Sequence, residues 1–178
     1  SMKQRLAAPS DLIDLSGIEA LTNIEVTNDQ VRAGALVTHD SVARSDEIRE
    51  VIPALCHLAG GIGDAQVRNC GTIGGSIANN DPAADYPAAL VGLNASVQTD
   101  SREIAADDFF TEMFETALEP GELIQSVTFP VPKQAVYVKF ANPASRYATV
   151  GVMVTRTAES DIRVAITGAS ASVFRSRE

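Results

Sequence analysis

The chain has 178 residues, 45% of them apolar and 21% charged, with a formal net charge of −9. That balance belongs to a soluble globular protein of one domain, or one domain plus part of another, and no apolar run is long enough to insert into a membrane. The acidity, with no basic run and no Trp, excludes nucleic acid as the main partner, because phosphate binding needs clustered Lys and Arg.

Lys3 and Arg5 lead into Pro9, Ser10 and Asp11 rather than a greasy stretch, so the N-terminus does not read as a signal peptide and a cytoplasmic location is expected. Cys56 and Cys70 are too few for a disulfide framework and too far apart for a metal motif. With His39 and His57 the only histidines, no four-ligand zinc or iron–sulfur site is expected. The two thiols read as buried or half-buried in a reduced compartment, and any redox chemistry has to come from an organic cofactor.

In chain order, Leu12-Ile13-Asp14-Leu15 reads as a short apolar strand. Alternation over Thr22 to Val26, turn chemistry at Thr27-Asn28-Asp29 and a second run over Val31 to Val37 predict a hairpin. After Thr38-His39-Asp40, residues Val42, Ile48, Val51, Ile52, Leu55 and Leu58 recur at helical spacing, interrupted by Pro53. From Gly60 to Gly75 the periodicity vanishes among glycines, which predicts a long loop, and such loops are often functional. Asp81 and Pro82 read as the N-cap and first residue of the next helix, with Ala88, Leu90, Val91 and Leu93 on its apolar face.

Ala95 to Thr99 and Arg102 to Ala105 predict a second hairpin, and Phe109, Phe110, Met113 and Phe114 a short aromatic helix. Pro120-Gly121 turns the chain into a strand from Leu123 to Phe129, stopped by Pro130 and Pro132. Tyr137 to Phe140, Ala148 to Thr155 and Ile162 to Gly168 are further strands, without enough helix after Pro132 to cover them. The expected class is α+β, with a boundary near Pro130 to Pro132.

Chemistry concentrates between Arg68 and Asp85. Gly74 and Gly75 lack Cβ atoms, so a ring or phosphate can approach the backbone closely. Thr72 and Ser76 add hydroxyls, Asn79 adds a donor and an acceptor, and Asp85 stands where a carboxylate can accept from a ribose diol. These groups suit a nucleotide cofactor. No GxGxxG joins a strand to a helix and no Lys follows the glycines, so neither the dinucleotide fingerprint nor a P-loop is present. The other reading of the residues is a tight turn in which Gly74 and Gly75 merely let two elements pack.

The stretch GDAQVRNCGTIGGSIANNDPAADYPAAL resembles the FAD-binding medium subunit of the carbon monoxide dehydrogenase and xanthine dehydrogenase family. MKQRLAAPSDLIDLSGI, AGALVTHDSVARS, PGELIQSVTFPVP and YVKFANPASRYATVGVMV resemble other landmarks of that subunit, in the same order. The resemblance implies the second subdomain of a PCMH/VAO-type FAD-binding domain over residues 1–132, then the start of the subunit's C-terminal domain over 133–178. It implies FAD contacts from Thr72, Ile73, Gly74, Gly75 and Ser76, from Asn79 and Asp85, and from Ile62, Ile124, Lys139 and Tyr147. Arg146 stands where the family carries an acidic residue before that tyrosine. His39 reads as a helix-start residue rather than a catalytic one.

Family members carry a further glycine-rich loop, of the A-G-G-x-S type, ahead of the point matching MKQRLAAP, so a chain truncated at both ends is expected, with weak FAD binding and exposed apolar edges that favour a homo-oligomer. The implied function is electron relay. Substrate is oxidised at a molybdopterin-containing large subunit, and electrons pass through a 2Fe-2S small subunit to FAD on this chain and on to an external acceptor. No catalytic residue or metal ligand is expected here. The alternatives are a degenerate scaffold without flavin and a stand-alone flavin oxidoreductase.

Overall fold

The computed structural model describes residues 9–176. The opening of the first landmark segment, with Lys3 and Arg5, lies outside the described residues, as do the last two positions.

The expected strand over Leu12 to Leu15 does not form. Leu12 and Ile13 are 74% and 85% exposed, and the backbone bonds locally instead, Ser16 N–H to Asp14 Oδ1 at 2.9 Å and Ile18 N–H to Leu15 O at 3.0 Å. Asp14, Ser16 and Gly17 favour a turn, and that chemistry prevails over a short apolar run. The first hairpin is present as β1 (Ile24–Val26) and β2 (Gln30–Gly34). Thr27 Oγ1 closes it by accepting from the Gln30 amide at 3.1 Å.

The helical stretch divides into α1 (His39–Arg44), α2 (Asp46–Val51) and α3 (Pro53–Gly60). Thr38 and Ser45 cap the first two through the amides of Ser41 and Ile48, and Pro53 sits at the first position of the third. Val42, Ile48, Ile52, Leu55 and Leu58 all point into the core.

The expected Gly60 to Gly75 loop is mostly helix. α4 (Ala65–Cys70) begins at Asp64, whose Oδ1 accepts from Val67 N–H, and α5 (Ile73–Asn79) begins at Thr72, whose Oγ1 accepts from Gly75 N–H. Capping, with Ile73 and Ile77 buried one turn apart, outweighs the roughly 1 kcal/mol that each glycine costs in a helix. The next helix also starts later than expected, as α6 (Tyr86–Gly92). Asp81 caps a turn, accepting from Ala83 N–H at 2.9 Å. The carbonyls of Pro82, Ala83 and Ala84 are taken by Thr167, Gly168 and Ala148, so they cannot start a helix.

β3 (Ser96–Thr99) and β4 (Glu103–Ala105) form the second hairpin, followed by α7 (Ala106–Phe109), β5 (Phe110–Glu112), β6 (Glu115–Thr116) and β7 (Ile124–Pro130). The aromatic helix therefore ends at Phe109. Met113 and Phe114 lie exposed at a hairpin tip, Phe114 at φ +58°. Asn80 intercepts that backbone: its Nδ2 donates to Glu112 O at 2.8 Å and Glu115 O at 2.7 Å, and its carbonyl accepts from Phe114 N–H at 3.1 Å.

The first sheet runs β1-β2-β7-β3-β4, antiparallel throughout. β8 (Gln134–Ala141), β9 (Ala148–Arg156), β10 (Ile162–Thr167) and β11 (Phe174–Arg175) form a second sheet in the order β11-β10-β9-β8. One face packs on α6 and α3, with Met153 and Ala165 buried, while Val138 and Phe140 of β8 stay exposed. The whole is α+β, as expected. Among the described residues, no helix is long and apolar enough to cross a membrane.

Candidate cofactor-binding site

A cleft of about 470 Å³ opens between α4–α5, the turn before α6 and the loop at 145–147. Thr72, Gly75, Ser76 and Asn79 fall at helical spacing on one side of α5 and line it. The opposite side of α5 carries Ile73, Gly74 and Ile77 into the core. Backbone bonds fix this arrangement: Ile73 N–H to Val37 O at 3.0 Å, Gly74 N–H to Ala35 O at 2.9 Å, and His39 N–H to Gly71 O at 3.0 Å.

The two glycines do different things. A Cβ on Gly74 would lie 2.7 Å from both the Cβ and the carbonyl oxygen of Ala35, so this glycine is there for packing. A Cβ on Gly75 would approach only Thr72 Oγ1, at 3.1 Å, and otherwise fill open cleft. The packing reading thus fits Gly74, while Gly75 is left open to the cleft.

Seven of the expected contact residues line the cleft: Ile62, Thr72, Gly75, Ser76, Asn79, Asp85 and Tyr147. Lys139 stands behind it, its Nζ donating to Asp85 Oδ2 at 2.9 Å and to Gly61 O at 3.0 Å. Ile73 and Gly74 face away, and Ile124 is a core residue of β7 paired with Thr99. Strand alternation turns Ile124 inward, away from the cleft. A larger groove, of about 760 Å³ between α2–α3 and β8–β9, is lined by none of the expected residues.

Asp85 is buried at the N-cap of α6 and caps nothing there. Its Oδ1 accepts from Tyr137 Oη at 2.5 Å, opposite the Lys139 bond. Burial pushes the Asp85 carboxyl up, and the hydrogen bonds from Lys139 and Tyr137 oppose that rise. Tyr137 is not among the expected residues, although its place two before Lys139 puts both side chains on one face of β8.

His39 opens α1, as expected, and also lines the cleft. It is 5% exposed, its ring lies 5.3 Å from that of Tyr86, and its Nδ1 has no partner. Burial lowers its pKa to about 4, so the imidazole is neutral near pH 7. Cys56 is buried as expected, but Cys70 is exposed at the cleft. Arg146, at φ +62°, also lines it. Among the described residues, no three His, Cys, Asp or Glu side chains gather as a metal site.

Residues 1–132 match the family described as the FAD binding domain in molybdopterin dehydrogenase. The chain is 37% identical to the nicotine 6-hydroxylase medium subunit of Paenarthrobacter nicotinovorans, covering 98% of this chain and 65% of that protein. It is 33% identical to the glyceraldehyde dehydrogenase medium chain of Sulfolobus acidocaldarius, covering 99% of this chain and 66% of that one. A carbon monoxide dehydrogenase structure from Hydrogenophaga pseudoflava superposes with a TM-score of 0.90 at 32% identity, over 98% of this chain and 64% of that chain. This chain therefore spans just under two thirds of the length of the relatives it matches. Match and superposition agree: the chain belongs to the family of FAD-binding domains found in molybdopterin dehydrogenases.

Proposed function

We propose that this chain holds FAD in the cleft beside α5 and serves as the FAD-carrying electron-relay subunit of a molybdenum hydroxylase. The observation that carries the reading is the polar side of α5, Thr72, Gly75, Ser76 and Asn79, presented to a cleft in a chain of this family. The residues fit the group. Gly75 leaves bare backbone that a Cβ would fill. Ile62, Val67 and Tyr147 supply apolar wall for a ring system.

When bound, FAD supplies electron exchange, linking a 2Fe-2S small subunit, itself fed by a molybdopterin-containing large subunit, to an external acceptor. The work of this chain is to bind, orient and shield. Thr72 and Ser76 offer hydroxyls, Asn79 an amide and Asp85 a carboxylate, so the polar portions of the cofactor meet donors and acceptors in a part-buried cleft. No residue is assigned as nucleophile, acid or base. We place the division between the FAD-binding domain and the start of the C-terminal domain near residue 132, where the chain leaves the first sheet for the second.

The test is titration with FAD, followed by flavin fluorescence, on this chain and on a polypeptide of the full length of its relatives. Saturable binding with one FAD per chain is expected, tighter in the longer polypeptide. Failure of both to bind while folded overturns the reading in favour of a scaffold without flavin.

A further inference from the structure

We infer that Tyr137 is a positioning residue for the cofactor cleft, fixing the Asp85 carboxylate from behind, and that Gly151 is the residue that makes room for it. The inference rests on the FAD reading and deepens it.

The backbone around Asp85 is already fixed by the second sheet. Ala148 N–H donates to Ala83 O at 3.2 Å, Gly168 N–H to Pro82 O at 2.8 Å, and Thr167 Oγ1 to Ala84 O at 2.8 Å. What remains free at Asp85 is its side chain. Tyr137 Oη holds Oδ1 at 2.5 Å and Lys139 Nζ holds Oδ2 at 2.9 Å, so the carboxylate plane is set by two donors from one face of β8. A carboxylate offers about four lone-pair sites. The two bonds use one on each oxygen and leave the others for a ligand in the cleft that Asp85 lines.

Gly151 shows that the tyrosine's place is built. It lies mid-strand in β9, opposite Lys139, where a glycine weakens a sheet. A Cβ there would overlap the Tyr137 hydroxyl and lie 3.0 Å from its Cζ and 2.9 Å from Thr167 Cγ2. Any side chain at 151 would push the phenol off Asp85. The glycine's cost in β9 is thus explained by a bond that serves the cleft.

The ionisable groups around Asp85 are Lys139 and Tyr137 on β8, Tyr86 beside it on α6, and Asp81, His39 and Arg146, which line the same cleft. Of these, Tyr137 and Lys139 bond it directly and oppose the rise caused by burial. Removing the phenol hydroxyl leaves Lys139 as its one side-chain donor among the described residues.

The experiment compares wild type, Y137F and G151A for FAD affinity across the acidic to neutral range, alongside melting temperature. Both variants are expected to bind FAD about tenfold more weakly. The loss of affinity on acidification should begin at higher pH in Y137F, because its carboxylate has lost a donor. Should Y137F fail to fold, wild-type chain labelled at tyrosine 13Cζ gives the same test, since the Tyr137 resonance should move on adding FAD. A lowered melting temperature with wild-type affinity and pH profile, or an unmoved resonance in FAD-saturated chain, overturns the inference and leaves the FAD reading standing. A folded wild type that binds no FAD overturns both.

Discussion

Gly74 and Gly75 are neighbours in sequence, yet alanine at each should have opposite consequences. At Gly74 the new methyl meets the Cβ and carbonyl oxygen of Ala35 at 2.7 Å and its Cα at 3.0 Å, and backbone cannot rotate away. Overpacking of this kind costs ~1–3 kcal/mol. Displacing α5 also strains the 2.9 Å bond from Gly74 N–H to Ala35 O, worth ~1 kcal/mol. Alanine's better helix propensity returns ~1 kcal/mol, leaving a net loss of about 1–3 kcal/mol. That is a large share of the ~5–15 kcal/mol of a typical domain. At Gly75 the methyl approaches only the capping Thr72 Oγ1, at 3.1 Å, so loss of cap and gain of propensity nearly cancel to within about 1 kcal/mol. The same methyl projects into the cleft, and FAD affinity should fall at least about tenfold. Urea unfolding with an unchanged m-value and flavin fluorescence read the two effects separately. Equal destabilisation by both variants, or a G75A chain that binds FAD like wild type, would refute the assignment of one glycine to packing and the other to the cleft.

Two further outcomes concern buried polar groups. His39 has its folded pKa held at about 4 against an ordinary 6.5, so the unfolded chain binds the extra proton between those values. Its contribution is present in full above about pH 6.5 and is lost as pH falls toward 4, to a total of roughly 3 kcal/mol. H39Q should therefore flatten the acid side of a stability profile measured by urea unfolding, and an unchanged slope would show that His39 is not the group responsible. N80A removes the side-chain hydrogen bonds to Glu112 O, Glu115 O and Ser172 Oγ and puts alanine at φ +42°, for a loss of about 3 kcal/mol. Limited proteolysis should cut N80A first in the hairpin carrying Phe114, and a wild-type cleavage pattern would contradict the clamp.

Most of the fold is legible where one period dominates. Both hairpins, the strands after Pro120 and the helical stretch interrupted at Pro53 stand close to where alternation and 3.6-residue spacing put them. The departures share a cause. Glycine reads as loop between Gly60 and Gly75, but Asp64 and Thr72 are caps, and a capped helix of six or seven residues shows too few turns for its period to emerge. Asp81 looks like a cap and is one, of a turn, because residues some 65 to 85 positions later claim the carbonyls a helix would use. Asn80 likewise decides the fate of Met113 and Phe114 from more than thirty residues away. Such long-range bonds leave no local trace. At the site, the side of α5 carrying Thr72, Gly75, Ser76 and Asn79 is legible as chemistry before it is legible as helix. Tyr137 is not, because its role depends on Asp85 and Gly151 meeting it in space.

On the proposed function, FAD occupies the cleft beside α5. The most direct measurement is the set of amide resonances of the 15N-labelled chain as FAD is added. Shifts are expected to concentrate at Ile62, Gly63, Thr72, Gly75, Ser76 and Asn79, with Val136, Arg156 and Ile162 of the larger groove unmoved. Shifts centred on that groove, or none at saturating FAD in a folded chain, would contradict it.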